Sequence, residues 1–173
     1  MPEIHPEVRL TQDLFSNYSS ARSDWASQAA EDAEFRAGKQ WSDKQVKSLR
    51  ARAQEPLVVN VIHPAVEQAK AMLTANSPKF QSTGRDTSDT KVGRIFSDLM
   101  SWVWDISIGN TELKQCIDDY YVKGMGVMIS YIAPDADFGK GEVYVKSIDP
   151  FSVYFDADSQ DPFCRDASNI IIA

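Results

Sequence analysis

Residues 111–132 read TELKQCIDDYYVKGMGVMISYI, and the spacing of apolar residues changes within this stretch. Before the two glycines, apolar side chains recur every three to four residues, which is the period of a helix with one buried face. Gly124 can adopt the left-handed backbone that ends a helix, and the residues after Gly126 are β-branched and apolar, as in a strand. The stretch predicts a helix over 111–123 and a strand over 127–132, and therefore an α+β chain.

Further strands are predicted towards the carboxy terminus. Residues 142–146 (EVYVK) should pair with the first strand as a hairpin across a polar loop rich in Asp and Gly. Residues 151–156 alternate apolar and polar side chains, and residues 170–172 are three isoleucines. A small antiparallel sheet is thus expected in residues 127–173. Since the sequence stops within a predicted strand, we expect a longer polypeptide of which this is the amino-terminal piece.

Towards the amino terminus the patterns are helical. After a flexible segment over 1–9, the predicted helical portion spans residues 10–126, beginning with a helix over 10–37. A short helix should begin at Ser42, because Ser42 and Gln45 form a capping-box pair. A third helix should hold Pro64 in its first turn. The expected buried positions of the first and third helices are Leu10, Leu14, Ala21, Trp25 and Ala29, and Ile62, Val66, Ala69 and Leu73.

The strongest helical period lies between residues 92 and 106, after a brief strand predicted over 79–84. We expect Asp86 or Ser88 to cap this helix, Trp102 to lie in its core face, and Trp104 to lie off that face. Gly109-Asn110 should break the chain before the next helix. The predicted core face consists of Val92, Ile95, Phe96, Leu99, Trp102, Val103 and Ile106.

Charge and composition exclude several classes of protein. The 173 residues carry a net charge of −7, and the excess acid lies after residue 86, where 7 basic residues face 14 acidic ones. A protein that grips nucleic acid by bulk charge needs surplus Lys and Arg instead. The longest apolar run is far shorter than the roughly 20 residues of a membrane span, so no stable membrane association is expected. Two cysteines indicate a reducing compartment rather than a disulfide framework.

Few residues suggest chemistry. Asp156, Asp158 and Asp161 are close in sequence but lack the central Gly and distal Glu of a calcium-binding EF-hand, so we interpret them as turn residues. His63 has no Ser, Cys or Asp constellation around it that can be assigned. We therefore predict no catalytic residues, no metal site and no cofactor.

The order of several short motifs resembles the amino-terminal signature of P22-like bacteriophage portal proteins. Residues 31–41 follow the pattern E-D-x-x-F-x-x-G-x-Q-W, residues 56–60 read PLVVN, and residues 149–161 read DPFSVYFDADSQD. Each motif is weak alone, whereas their order over nearly the whole chain is specific. The residues that carry the resemblance are Phe35, Gly38, Gln40, Trp41, Pro56, Asn60, Pro64, Asn76, Pro78, Gly124, Gly126, Asp149, Pro150, Tyr154 and Asp156.

The resemblance implies a subunit of a homo-oligomeric ring, usually a dodecamer, with an α+β wing region that is mainly helical. Such rings assemble in the host cytoplasm and occupy one capsid vertex of the virion, where double-stranded DNA passes during packaging and ejection. Their partners are the major capsid protein, the terminase, which supplies ATP hydrolysis, and a tail adaptor. The ring itself is not an enzyme. Family members are several times longer than this chain, which carries nothing similar to their stem and clip.

Two other hypotheses follow from the residues alone. The chain could be a stand-alone cytosolic interaction module that uses the helix with Trp102 and Trp104 to bind a partner. It could also be a metal-dependent nuclease that uses Asp156, Asp158 and Asp161. The three hypotheses require different things of these five side chains. The positions of the side chains in the fold therefore help to choose between the hypotheses.

Overall fold

The computed structural model describes residues 5–84, 89–161 and 163–173. Over these residues it confirms an α+β chain with two antiparallel strand pairs in its carboxy-terminal part. None of its helices has the length and apolar character needed to cross a bilayer, a statement that covers the same residues. The elements are α1 (Pro6–Ala21), α2 (Ser23–Arg36), α3 (Asp43–Ala51), α4 (Ile62–Leu73), α5 (Thr90–Ile106), α6 (Gly109–Lys123), β1 (Val127–Ala133), the helical turn α7 (Ala136–Gly139), β2 (Glu142–Ile148), β3 (Val153–Phe155) and β4 (Ile170–Ile172).

The chain forms two compact units. The first contains the residues up to Asn60 together with Val122–Gly124 and Asp149–Ala173, and the second contains Val61–Tyr121 and Met125–Ile148. The predicted division into residues 1–9, 10–126 and 127–173 stays a prediction. In the structure each unit combines helices with one strand pair.

In the first unit, the helix predicted over 10–37 is two helices. α1 begins at Pro6, and the backbone leaves the helical conformation at Arg22, with φ −97° and ψ 4°, before α2 begins. The predicted buried stripe is also wrong at Leu10, which is 60% exposed, and at Ala21, which is exposed, whereas Tyr18 and Ala29 are buried. Arg22 lies at the break between the two helices, four residues after Tyr18, and is half-buried.

The short helix α3 begins as predicted. The Ser42 side chain accepts a hydrogen bond from the Gln45 amide at 3.3 Å, and the Gln45 side chain accepts one from the Ser42 amide at 2.8 Å. The two bonds satisfy amides that have no partner within the helix, which is why this pair marks a helix start.

The strand predicted over 151–156 is shorter in the structure. Pro150–Ser152 form a turn of 3-10 helix, and β3 follows and pairs antiparallel with β4, Tyr154 opposite Ile171. Val153, the first residue of β3, is 1% exposed. Pro150 is also fully buried, so the first unit has two fully buried side chains at the Asp149-Pro150 motif.

The second unit contains the predicted hairpin. β1 and β2 pair antiparallel, with Ser130 opposite Val145. Two amides of β2 also bond to side chains at the helices: the Val145 amide donates at 2.9 Å to Oγ of Ser107, the residue that caps the end of α5, and the Ser147 amide donates at 2.7 Å to Glu112 of α6. These bonds fix the hairpin to α5 and α6.

Helix α4 joins the same unit. Of its predicted stripe, Val66 is buried whereas Ile62 and Leu73 are exposed. Lys70 Nζ lies 2.9 Å from an oxygen of Asp118 on α6, a contact in which the Lys70 side chain is 21% exposed and the Asp118 side chain 14%. α4 is therefore held to α6 partly by an ion pair, which the apolar pattern does not indicate.

Helix α5 packs through a side of small residues instead of its predicted core face. An added Cβ at Gly93 would lie 3.0 Å from the Ser82 carbonyl oxygen, and the Ser82 amide donates to Ser97 Oγ at 2.8 Å. The prediction of a strand over 79–84 is wrong, because the extended chain there lies beside a helix and not beside another strand. The proposed caps, Asp86 and Ser88, lie outside the described residues.

The predicted core face of α5 is largely exposed. Trp102 is 48% exposed, and Val92, Ile95, Phe96 and Leu99 have exposures of 48–58%. Trp104 was expected off this face, yet it packs against Phe80 with ring centroids 5.4 Å apart. The expected roles of the two tryptophans are thus reversed, because the helix turns its Gly93 and Ser97 side towards the unit.

The break after α5 lies one residue earlier than predicted. Ile108 has a φ of 53°, and Gly109 is already the first residue of α6. An added Cβ at Gly109 would lie 2.3 Å from the Trp104 ring, so this glycine allows a close approach. Tyr120 and Tyr121, near the end of α6, are both exposed.

The glycine pair between α6 and β1 has two separate roles. Gly124 has a φ of +76° and no atom within 4 Å of an added Cβ, so the backbone conformation alone requires glycine there. At Gly126 an added Cβ would lie 2.4 Å from the Cys116 carbonyl oxygen and 2.8 Å from its sulfur. The first glycine ends the helix, and the second allows β1 to pass against it.

We predict that Gly124→Val destabilises the fold by about 1–3 kcal/mol, because a β-branched residue is strained at positive φ. Since no atom lies within 4 Å of an added Cβ, the loss of stability should come from backbone strain and not from a steric clash. Gly124→Asn is the matched control, because Asn tolerates this conformation and should lose clearly less stability. Urea unfolding of the three proteins measures the difference, and equal midpoints would contradict the left-handed requirement.

Candidate functional site

The residues that carry the family resemblance lie mainly in the first unit, where they form two groups. One group surrounds the end of α2. Gly38 has a φ of +90°, and its amide donates to the Phe35 carbonyl at 3.0 Å, which ends the helix. The Asn60 side chain donates to the Arg36 carbonyl at 2.7 Å. Gly38 and Asn60 therefore act together, because the glycine turns the chain and the amide satisfies a carbonyl at the helix end.

Trp41 extends this group. Its indole N–H donates to the Leu57 carbonyl at 3.1 Å, so the loop after α2 is bonded to the extended segment that follows Pro56. Phe35, Gln40 and Trp41 line one cleft of about 440 Å³. At the same cleft a hydrogen bond from Lys39 to Glu34, 2.6 Å long, raises the pKa of that lysine. Three residues of the first motif thus share a polar cleft.

The second group is centred on Arg22, which the sequence analysis missed. Its guanidinium donates to the carbonyls of Pro150 at 3.2 Å and Phe151 at 2.8 Å, and to that of Val153. The same guanidinium lies 4.1 Å from the centre of the Tyr154 ring. One cation thus bonds to two carbonyls of the 3-10 turn and one of β3, and it stacks on Tyr154 of the same strand.

Lys123 completes this group. Its carbonyl accepts from the Trp25 indole at 2.9 Å, and its Nζ lies 2.9 Å from an oxygen of Asp149. Asp149 also accepts from the Phe151 amide at 3.0 Å, which caps the 3-10 turn. Burial raises the pKa of Asp149, but the bonds from Phe151 and Lys123 outweigh it, so the pKa lies below its ordinary value of 3.8.

The carboxylates proposed as nuclease ligands bond to their own loop. Asp156 accepts from the amides of Asp158 at 3.1 Å and Ser168 at 3.0 Å, and these bonds lower its pKa. Asp161 accepts from the Phe163 amide at 3.0 Å and pairs with Arg165, the pairing being the larger cause of its lowered pKa. No group of three or more His, Cys, Asp or Glu in the described part of the chain could hold a metal ion. The arrangement fits a turn.

The remaining signature residues are separate from both groups. Pro64 lies in the first turn of α4 and Asn76 and Pro78 follow that helix, while Gly126 contacts α6. The structure therefore brings together the motif at the end of α2 with that of residues 56–60. It also joins residues 149–154 to Arg22 and Lys123. Arg22 could have been found from its position on the stripe of Tyr18 and Trp25, where an unpaired charge would be costly.

We predict that Arg22→Met destabilises the protein by about 2–4 kcal/mol, because it removes the side-chain donor to the part-buried carbonyls of Phe151 and Val153. Arg9→Met, which removes an exposed arginine of α1, is the matched control and should change stability little. Chemical denaturation of both variants measures the difference. Equal losses in the two would mean that the three carbonyl contacts contribute nothing.

We predict that Asp149→Asn reduces the loss of folding stability that occurs as the pH is lowered. Because the pKa of Asp149 is lowered in the folded state, its contribution is present above about pH 4 and is lost as the pH falls through the folded value. Urea unfolding between pH 7 and pH 2 should show a smaller loss for this variant than for the wild type. Asp13→Asn, at an exposed position of α1, should keep the wild-type slope. Parallel curves for all three proteins would contradict the role of Asp149.

Comparison with known proteins identifies the family. The sequence model of one family, described as phage P22-like portal protein, matches residues 12–173. A search of curated proteins gave no match. The match includes both residue groups described above and nearly the whole chain. The chain therefore belongs to the family of phage P22-like portal proteins.

Proposed function

We propose that this chain is part of a portal subunit, and that the assembled ring is the conduit for double-stranded DNA at one capsid vertex. The observation that carries the proposal is the family match over residues 12–173. In this proposal twelve subunits form the ring in the host cytoplasm, before the ring becomes part of the virion. The chain's own role is structural.

The charge of the chain supports the role of a conduit. The net charge is −7, and residues 87–173 carry twice as many acidic as basic side chains, 14 against 7. A basic wall would release counterions and hold DNA, whereas an acidic wall repels phosphates and lets the duplex slide. The acidic half is suited to face passing DNA.

The placement of the candidate side chains supports the portal over the two other hypotheses. Trp104 packs against Phe80, so the interaction module would lose one of the two tryptophans it was expected to use. The carboxylates of the nuclease hypothesis bond to amides of their own loop. A structural subunit requires neither feature. In this proposal the portal subunit binds the terminase during packaging, a tail adaptor afterwards, and the major capsid protein throughout.

We predict that the full-length subunit, expressed and purified without other phage proteins, forms rings with a central hole wide enough for a DNA duplex. Negative-stain electron microscopy and sedimentation measure this directly. A phage that lacks the gene should assemble heads without packaged DNA, and the wild-type gene supplied in trans should restore packaging. A full-length product that stays monomeric, or that cleaves DNA when magnesium is added, would contradict the proposal.

A further inference from the structure

One side of α5 carries five exposed apolar side chains. We call it the α5 apolar face, and it consists of Val92, Ile95, Phe96, Leu99 and Trp102. Each of these side chains is about half exposed. The unit packs instead on the side of α5 that carries Gly93 and Ser97. The apolar face is therefore not covered by the unit to which it belongs.

The size of this face is that of the largest apolar patches on monomers, which are often functional. Its five side chains expose on the order of 500 Å², within the roughly 300–600 Å² of such patches. A stable protein contact buries roughly 800 Å² on each partner. The face alone supplies more than half of that area, so it can form the centre of a contact but needs a continuation.

A groove supplies the continuation. It has a volume of about 720 Å³ and lies between α5 and the β1–β2 hairpin. Leu99 and Trp102 belong both to the groove and to the α5 apolar face, and Val143 and Val145 of β2 line its other side. Face and groove therefore form one apolar surface.

The chemistry of this surface restricts the occupant. The five side chains of the face are uncharged. Lys91, four residues before Ile95, borders the face, and Asp137 and Glu142 line the groove, so the surface combines one basic residue with two acidic ones. DNA is therefore a poor occupant. Two chains that each carry a net charge of −7 repel each other over most of their surface, and an uncharged face is where they can approach.

We propose that the α5 apolar face and its groove are covered by a second copy of this chain, as one side of the subunit contact in the ring. The proposal rests on the proposed function, because a ring repeats one heterologous contact around its axis. Such a contact must be stable before the ring closes, which favours placing the largest apolar surface there. The neighbouring subunit contributes a different part of its surface, since a heterologous contact joins two unlike faces.

Photo-crosslinking in assembled rings of the full-length protein tests the proposal. The photoreactive residue benzoyl-phenylalanine replaces Phe96 in one variant and Ser101, on the polar side of α5, in the matched control. We expect irradiation to give covalent dimers and higher multiples of the subunit from the Phe96 variant and few from the control. Sequencing of the cross-linked peptide then identifies the covering segment of the neighbour.

The other occupants give different products. A cross-link that leaves the subunit mass unchanged would show that another part of the same chain covers the face, and would overturn the proposal. Intact rings with no cross-link from position 96, or a cross-link in virions to a different phage protein only, would also overturn it. In each of these three outcomes the rings are still present, so the proposed function is unaffected. A wild-type protein without rings would instead contradict the proposed function.

A pair of charge variants gives an independent measurement. Ile95→Asp places a carboxylate in the face, and Ser101→Asp places one on the polar side of the same helix. We expect the fraction of protein in rings to fall about tenfold or more for Ile95→Asp and to stay unchanged for Ser101→Asp. Because Ile95 is 58% exposed, the melting temperature of the dissociated subunit should be unchanged. Wild-type ring formation by Ile95→Asp would overturn the proposal.

Discussion

Arg22 connects parts of the first unit that are far apart in the sequence. Its guanidinium bonds to carbonyls that lie 128 to 131 residues further along the chain. A backbone break at the same residue separates α1 from α2. Arg22 therefore joins α1, α2 and the β3–β4 pair. The loop-closure entropy of joining segments so distant in sequence is offset by several hydrogen bonds made by one side chain.

Local patterns in the sequence predict local features well. The capping box at Ser42, the left-handed Gly124 and the β1–β2 hairpin depend on neighbouring residues only, and all three are confirmed. The packing side of α5 depends on residues that are distant in sequence, because Gly93 and Ser97 contact the chain around Ser82. A hydrophobic period measures which side of a helix is apolar, and it cannot tell whether the protein's own core or another molecule covers that side.

The signature residues show a similar division. The order of the motifs in the sequence identifies them, whereas their physical roles depend on contacts between pairs of residues. These pairs are Gly38 with Asn60, Trp41 with the Leu57 carbonyl, and Asp149 with Lys123. Each pair joins two motifs, or a motif and a residue outside the motifs. The partners Arg22 and Lys123 belong to no motif. The position of Arg22 between Tyr18 and Trp25 is a signal, whereas Lys123 looks the same in the sequence whether it is solvated or paired with Asp149. The resemblance therefore identifies residues around the site but not Arg22, the residue at its centre.

The bonds from β2 to the helices have a consequence for an assembly of many identical chains. Such an assembly raises the local concentration of every exposed strand, and a strand with free amides can pair with its counterpart on a neighbouring chain. In β2 the amides of Val145 and Ser147 are already bonded to Ser107 and Glu112. Two helix side chains thus occupy the donors that a foreign strand would need. This edge of the hairpin is protected from strand exchange, even where neighbouring copies are held close together.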